Sequence, residues 1–254
     1  MTGETKALGG GEVKRLLDLF CGAGGAAMGY SRAGFEVVGV DWKPQRTYPF
    51  DFIQADALEV LESWRTGGNW YAALGNFDAI HASPPCQFAS VATPMAYRER
   101  HPNHIPAVRA GLALSGVPSV IENVANARRH LREPMVMLCG TMFGLNIWRH
   151  RYFEGVNFTP PPSPYTCAHD TARLVVQHPG SNAREARRKR LVLVSGTTRS
   201  VSGDRFEFTV AERREAMGTP WMTDAELDEA IPPVFTSFIG AALMRVLTAA
   251  RTPP

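Results

Sequence analysis

Through the first half of the chain, short apolar runs alternate with stretches of helical periodicity. Residues 13–20 read as a buried strand, and a glycine turn leads from it into a helix over 26–33 that Gly34 stops. Residues 35–40 predict a second strand, ending at Asp41. A third short strand is expected over 53–56, with a helix over 57–64 behind it, and a fourth strand over 77–82. A helix near 107–115 precedes a fifth strand at 119–122. Alternation of this kind predicts an α/β architecture, a mostly parallel sheet with helices on both faces. No segment repeats another.

The pattern changes after Phe153. Thr159-Pro160-Pro161-Pro162-Ser163-Pro164 reads as a stiff linker, and Arg184, Arg187, Arg188, Lys189 and Arg190 form the densest basic run. A strand is expected over 191–194, followed by Gly196 and Gly203. Helical patterning resumes at Val210, and residues 235–249 predict an amphipathic closing helix with Phe238, Ile239, Ala242, Leu243 and Val246 on one face. The chain therefore divides into a tail (1–12), a main domain (13–154), a small insertion (155–208) and a return to the main domain (209–254).

Composition narrows the function classes. With 254 residues and 44% apolar content, the chain can bury one full α/β core plus a small insertion. The four cysteines, Cys21, Cys86, Cys139 and Cys167, form no C-x-x-C pair, so neither a zinc knuckle nor a redox dithiol is expected. Their scatter fits a reducing cytoplasm. His101 and His104 read as loop histidines, and no metal site is expected. No apolar run approaches the roughly 18 residues of a membrane span. A net charge of +3 permits a nucleic-acid partner without requiring one.

Four stretches carry candidate chemistry. In Ser83-Pro84-Pro85-Cys86-Gln87, two prolines end the fourth strand and hold Cys86 on a stiff loop at the edge where open α/β sheets bind ligands. Taken alone, Cys86 reads first as a small buried hydrophobe, and its neighbours reverse that reading. In Leu17-Asp18-Leu19-Phe20-Cys21-Gly22-Ala23-Gly24-Gly25, glycines at a strand-to-helix turn let a ligand approach the backbone, but the spacing is not G-x-G-x-x-G. Asp41 at the second strand tip suits ribose hydroxyls, Trp42 offers a flat face to adenine, and Asp56 at the third tip suits an adenine amino group. A nucleoside without pyrophosphate points to S-adenosylmethionine; an ordinary tight turn with solvent-facing acids is the alternative. In Val120-Ile121-Glu122-Asn123-Val124, a part-buried Glu122 would have its pKa raised and serve as a proton donor, unless Asn123 merely caps a helix. Arg149 and Arg151, two apart in an extended segment, point the same way toward one polar ligand or toward solvent.

Taken in order, these motifs resemble those of the cytosine-C5 DNA methyltransferases. The resemblance rests on Phe20-x-Gly22-x-Gly24-Gly25, Pro84-Pro85-Cys86-Gln87, Glu122-Asn123-Val124, Arg149-x-Arg151 and Ile231-Pro232-Pro233 before an apolar helix. It covers nearly the whole chain except the insertion. It implies a Rossmann-like sheet of the class I S-adenosylmethionine methyltransferase type, with the insertion as target-recognition region. By the same resemblance, Cys86 matches the nucleophile that adds to cytosine C6, and Glu122 the acid that holds N3 and the exocyclic amine. Arg151 matches the arginine near the base O2, with Arg149 supporting it. Phe20, Gly22, Gly24, Asp41, Trp42 and Asp56 fall on cofactor-contacting positions. Gln87 and Ser90 lie on the loop that closes over DNA, and residues 234–247 would complete the cofactor pocket. The implied partner is double-stranded DNA, met by a monomer in the cytoplasm, in a restriction–modification or phage setting.

The chemistry sets further expectations. A free thiol is only a few per cent ionised at neutral pH, so the site is expected to favour the Cys86 thiolate, with Arg151 and loop N–H groups as helpers. The stretch 88–104, with Arg98 and Arg100, reads as a mobile lid on the phosphate backbone or as a plain surface loop. Arg187 and Arg188 read as phosphate contacts or as a solvated helix face. Asp228-Glu229 stand where the family carries Gly-Asn, and the insertion is short for the family. An RNA cytosine substrate, a non-catalytic DNA-binding relic and a nucleotide-dependent oxidoreductase are the competing readings. The last would need the absent G-x-G-x-x-G and leaves Cys86 and Glu122 without a role.

Overall fold

The computed structural model describes residues 13–70, 77–90, 93–168, 192, 194 and 208–249. Its strands are β1 (Arg15–Leu19), β2 (Glu36–Asp41), β3 (Asp51–Gln54), β4 (Ala79–Ala82), β5 (Ser119–Val124), β6 (Met135–Cys139) and β7 (His150–Val156). They form one seven-stranded sheet in the order β3-β2-β1-β4-β5-β7-β6. The first five strands pair parallel, whereas β7 runs antiparallel to both β5 and β6. The winding direction reverses between β1 and β4, the point at which such sheets open a ligand crevice at their carboxyl edge.

The helices among the described residues are α1 (Gly25–Arg32), α2 (Ala57–Thr66), α3 (Met95–Arg98), α4 (Ile105–Ser115), α5 (Val210–Met217), α6 (Asp224–Glu229) and α7 (Pro233–Ala249). Side chains alternate across a strand, so β1 sends Leu16 to one face and Leu17 and Leu19 to the other. Leu16 packs with Ala27 and Tyr30 of α1 and with Phe235, Ile239 and Leu243 of α7. Leu17 and Leu19 pack with Val60 and Leu61 of α2 and with Val108 and Leu112 of α4. Burial on both faces is why the strands read as continuous apolar runs. Helices α1 and α7 approach unusually closely: a Cβ added at Gly29 would lie 2.0 Å from Thr236 Oγ1. That hydroxyl donates to the Ala26 carbonyl at 2.8 Å.

Several boundaries move from their expected places. The third strand lies at Asp51–Gln54 rather than 53–56, because the Asp56 side chain accepts from Leu58 N at 2.7 Å and starts α2. The fourth strand is Ala79–Ala82, shorter than 77–82, and the fifth runs on to Val124. Helix α4 begins at Ile105, with Pro106 in its first turn where a missing N–H costs nothing. The sequence reading contains no strand at 135–139, yet β6 closes that side of the sheet. Of the strand expected at 191–194, only Val192 and Val194 are described, and Val192 bridges to Ile147. No described helix is long and apolar enough to cross a membrane.

Candidate active site

The loop after β1 turns on left-handed backbone at Phe20 (φ 57°), Gly22 (φ 48°) and Gly24 (φ 82°). Left-handed geometry at a bulky side chain costs roughly 1–3 kcal/mol and survives only where surroundings impose it, commonly at ligand sites. A Cβ placed on Gly22 would meet nothing within 4 Å, so the backbone there lies against open space. At Gly24 it would sit 2.7 Å from Pro49 Cδ, which closes the other side. Trp221 Nε1 donates to the Ala23 carbonyl at 2.9 Å, tying the loop to the segment between α5 and α6.

At the tip of β2, Asp41 Oδ2 accepts from Gly22 N at 3.1 Å and Oδ1 from Lys43 N at 3.0 Å. Trp42 is 64% exposed beside it. Asp56 is exposed and engaged as the α2 cap rather than seated on a strand tip, so it faces the same edge from a helix start.

Beyond the switch point, β4, β5 and β7 assemble the second half of the site. Ser83 N donates to the Leu19 carbonyl at 3.1 Å, holding the Pro84-Pro85 loop against β1. Asn123 Nδ2 donates to the Pro84 carbonyl at 2.9 Å from the buried end of β5. The asparagine is thus a strut between the two motifs, not a helix cap. Cys86 follows, half-buried, with Ala89 N and Ser90 N both donating to its carbonyl at 2.9 and 2.8 Å. Because β7 runs antiparallel to β5, its first residues abut the carboxyl end of β5, with Arg151 opposite Val124. Arg151 Nε lies 2.8 Å from Glu122 Oε1, both buried, and Arg149 Nη2 donates to the Asp228 carbonyl at 2.7 Å. Arg149 thereby binds the position where the family motif departs.

Electrostatics divide the site. Burial raises the Glu122 carboxyl above its usual range, and Arg151, a hydrogen bond from Ser83 and Arg149 offset this only in part. The expected thiolate at Cys86 is corrected. Burial pushes this thiol up as well; Arg151 and a backbone hydrogen bond pull it down, while Glu122 and Glu229 push it further up. In the protein alone, Cys86 rests as the protonated thiol. Asp18, fully buried in β1, is held well above the carboxylate range by burial and by the Asp41 and Glu122 charges, against a backbone hydrogen bond from Ala27.

A hydrogen-bonded chain leads to Glu122 from behind. Tyr30 OH lies 2.9 Å from His81 Nδ1, and His81 Nε2 lies 2.8 Å from Ser83 Oγ, whose hydroxyl bonds Glu122. Burial depresses His81 to about 3, so the ring is neutral. One polarity satisfies all three links: the phenol donates to Nδ1, Nε2–H to Ser83, and the serine to the carboxylate. Sequence reasoning passed over Tyr30, His81 and Ser83. The available signal was a histidine inside the otherwise apolar run 77–82.

The expected DNA contacts divide three ways. Gln87 is half-buried beside Cys86, and its Oε1 is buried without a protein hydrogen-bond partner; Ser90 lies on the same turn. Arg98 ends α3 and donates locally to the Thr93 carbonyl at 3.0 Å. Arg187 and Arg188 lie outside the described residues. One grouping runs against the expectation of no metal-ligand set. Cys139, His150 and Cys167, far apart in sequence, bring their donor atoms within 4.8 Å of one another.

The chain is similar to several known proteins. Residues 14–132 match the family model for the C-5 cytosine-specific DNA methylases. The Type II methyltransferase M.HgiGI of Herpetosiphon aurantiacus is 32% identical over 122 residues, covering 45% of this chain and 93% of that protein. A DNA modification methyltransferase encoded within an E. coli prophage superposes with a TM-score of 0.58 at 14% identity, covering 92% of this chain and 99% of that one. DNMT2 of Spodoptera frugiperda superposes with a TM-score of 0.54 at 15% identity, with coverage of 92% and 99%. At such identities the structural likeness speaks for the fold alone, and that fold is the class I methyltransferase sheet.

Proposed function

The chain belongs to the cytosine-C5 DNA methyltransferase family, and on that premise we propose that it methylates C5 of a cytosine flipped out of duplex DNA, through a transient bond between Cys86 and ring C6. The observation that carries the reading is the convergence of Cys86, Glu122 and Arg151 on one sheet edge, close enough that both charged groups act on the thiol.

The sheet edge at β1 and β2 suits S-adenosylmethionine: open space at Gly22, a carboxylate at Asp41 and the broad exposed face of Trp42. Phe20, Gly22, Gly24, Asp41, Trp42 and Asp56 would hold the nucleoside. When bound, this cofactor supplies an electrophilic methyl group. The protein's own task is to make a cytosine carbon nucleophilic. Cys86 must lose its proton and add to C6, opening the C5=C6 bond and placing electron density on C5; loss of the C5 proton after methylation then restores that bond and expels the thiolate. Glu122, biased toward its neutral form, can donate to N3 and so stabilise the electron-rich ring. Arg151 acts on both, favouring a sulfur anion and contacting the carboxyl. The base must leave its stack to reach them, at a cost of a few kcal/mol offset by pocket contacts. Gln87, Ser90 and Arg98 lie where the opened duplex would press, and the 155–208 insertion, with Arg187 and Arg188, would read the target.

Tritium transfer from labelled S-adenosylmethionine, offered duplex DNA and tRNA in parallel, tests the reading. Incorporation into DNA, lost in Cys86→Ala, is the expected result. Incorporation into tRNA alone would overturn the substrate. Full activity in Cys86→Ala would overturn the covalent route.

A further inference from the structure

Behind the catalytic edge lies a group of donors that the methyl transfer does not use. Cys139 and His150 are register partners in the antiparallel β6–β7 pair, so their side chains leave the same face of the sheet side by side. Their face is the opposite of the one to which β7 sends Arg151. The chain then leaves the far end of β7 and returns along β6, where Ser163 Oγ donates to the Met137 carbonyl at 2.6 Å. That path delivers Cys167 to the pair. His150 Nε2 lies 3.2 Å from Cys167 Sγ, and Cys139 Sγ lies 3.3 Å from Thr141 Oγ1. Thr141 also accepts from Ala168 N at 3.1 Å, which fixes the backbone just past the second cysteine.

We propose that Cys139, His150 and Cys167 bind a zinc ion that fastens the proline-rich segment 157–168 to the edge of the sheet. The three donor atoms already lie within 4.8 Å of one another. Tetrahedral zinc needs sulfurs about 3.8 Å apart, given Zn–S bonds of about 2.3 Å, so a small contraction suffices. Two thiolates and an imidazole are a soft set that suits Zn²⁺ and not Mg²⁺ or Ca²⁺. Two thiolates also neutralise the ion, which suits a part-buried position. The fourth corner is left to a water or a further side chain. The ion would lie on the reverse of the strand that carries Arg151, so its part is to hold the strand and the segment that follows.

The test uses the full chain, purified with a thiol-free reductant. Elemental analysis after gel filtration is expected to find about one zinc per chain. Cobalt(II) added to metal-stripped protein should give the intense thiolate-to-metal band and visible absorption of a tetrahedral site. Cys167→Ser should lower retained zinc by about tenfold or more, since the deprotonated sulfur supplies much of the affinity. The cobalt spectrum of the unmodified chain decides the matter should that variant fail to fold. No retained zinc together with no cobalt spectrum would overturn the proposal. So would unchanged metal content in both Cys139→Ser and Cys167→Ser, or a Cys139–Cys167 disulfide in the freshly isolated chain. None of these outcomes depends on whether DNA is the methyl acceptor.

Discussion

Two buried glutamates, each paired with an arginine, bring pairs to opposite ends of β7, and the pairs are built for different ends. Glu154 accepts from Arg109 Nε at 2.5 Å and Nη2 at 2.7 Å, and from Arg132 N at 2.9 Å; the same arginine reaches the His130 carbonyl at 2.7 Å. Every strong donor around that carboxylate is spent on the protein. Glu122 instead meets Arg151 through a single Nε contact at 2.8 Å and takes one hydroxyl from Ser83, and burial still wins over both. The saturated pair clamps β7 to α4. The undersupplied pair leaves the Glu122 carboxyl biased toward its protonated form, as the proposed acid role requires. On the proposed reading, equal residue types give a clamp or an acid, according to how many donors surround the carboxyl.

Glu122→Gln should break one side of this contrast most severely. Turnover is expected to fall about 10²–10⁴-fold, the span for loss of a positioned acid. Stability should respond the other way. Because the Glu122 pKa is raised on folding, the carboxyl favours the folded state at low pH and loses that advantage as pH rises through the raised value. Glutamine mimics the neutral form throughout. Denaturation should therefore show the variant at least as stable as the parent at neutral pH, with any gain vanishing in acid. A clear loss of stability at pH 7 would mean that the pair is structural after all.

Glu154→Gln is the counterpart. Removing one partner of a saturated buried pair is expected to cost roughly 3–5 kcal/mol, read as a lowered denaturation midpoint. Turnover per folded molecule should stay close to that of the parent.

Arg151→Gln sharpens the comparison at intermediate size. Glu122 can take up a proton when its partner leaves, so the stability loss should be smaller than in Glu154→Gln. Arg151 also opposes the burial that raises the Cys86 thiol. Without it, the rising limb of the kcat/KM pH profile should move to higher pH; a shift to lower pH would contradict the assignment.

Ser83→Ala is the mildest probe. The hydroxyl holds the Glu122 pKa down, so its loss should raise that pKa further and move the acid-dependent limb upward. One hydrogen bond of roughly 1 kcal/mol corresponds to a few-fold loss of turnover. A steady-state profile of the variant over pH would register both changes.

The alternation of strands and helices was legible because burial on both faces leaves continuous apolar runs, as at residues 13–20 and 35–40. Prolines and glycines marked the loops that carry Cys86 and Gly22. What escaped the sequence was whatever depends on pairing. β6 is short, and its Met-Val-Met-Leu-Cys run does not announce a partner that arrives only with β7. The cluster of Cys139, His150 and Cys167 has no motif spacing, since cross-strand register rather than chain distance joins it. The resting protonation of Cys86 was missed for a related reason. Its neighbours Glu122 and Glu229 come from distant segments, and their charge adds to burial.

The reversed strand also carries a parity rule. In β7, even-numbered His150 turns to one side and odd-numbered Arg151 to the other, each with its own company. A slip of one residue in the strand's pairing with β5 and β6 would exchange their sides at one stroke.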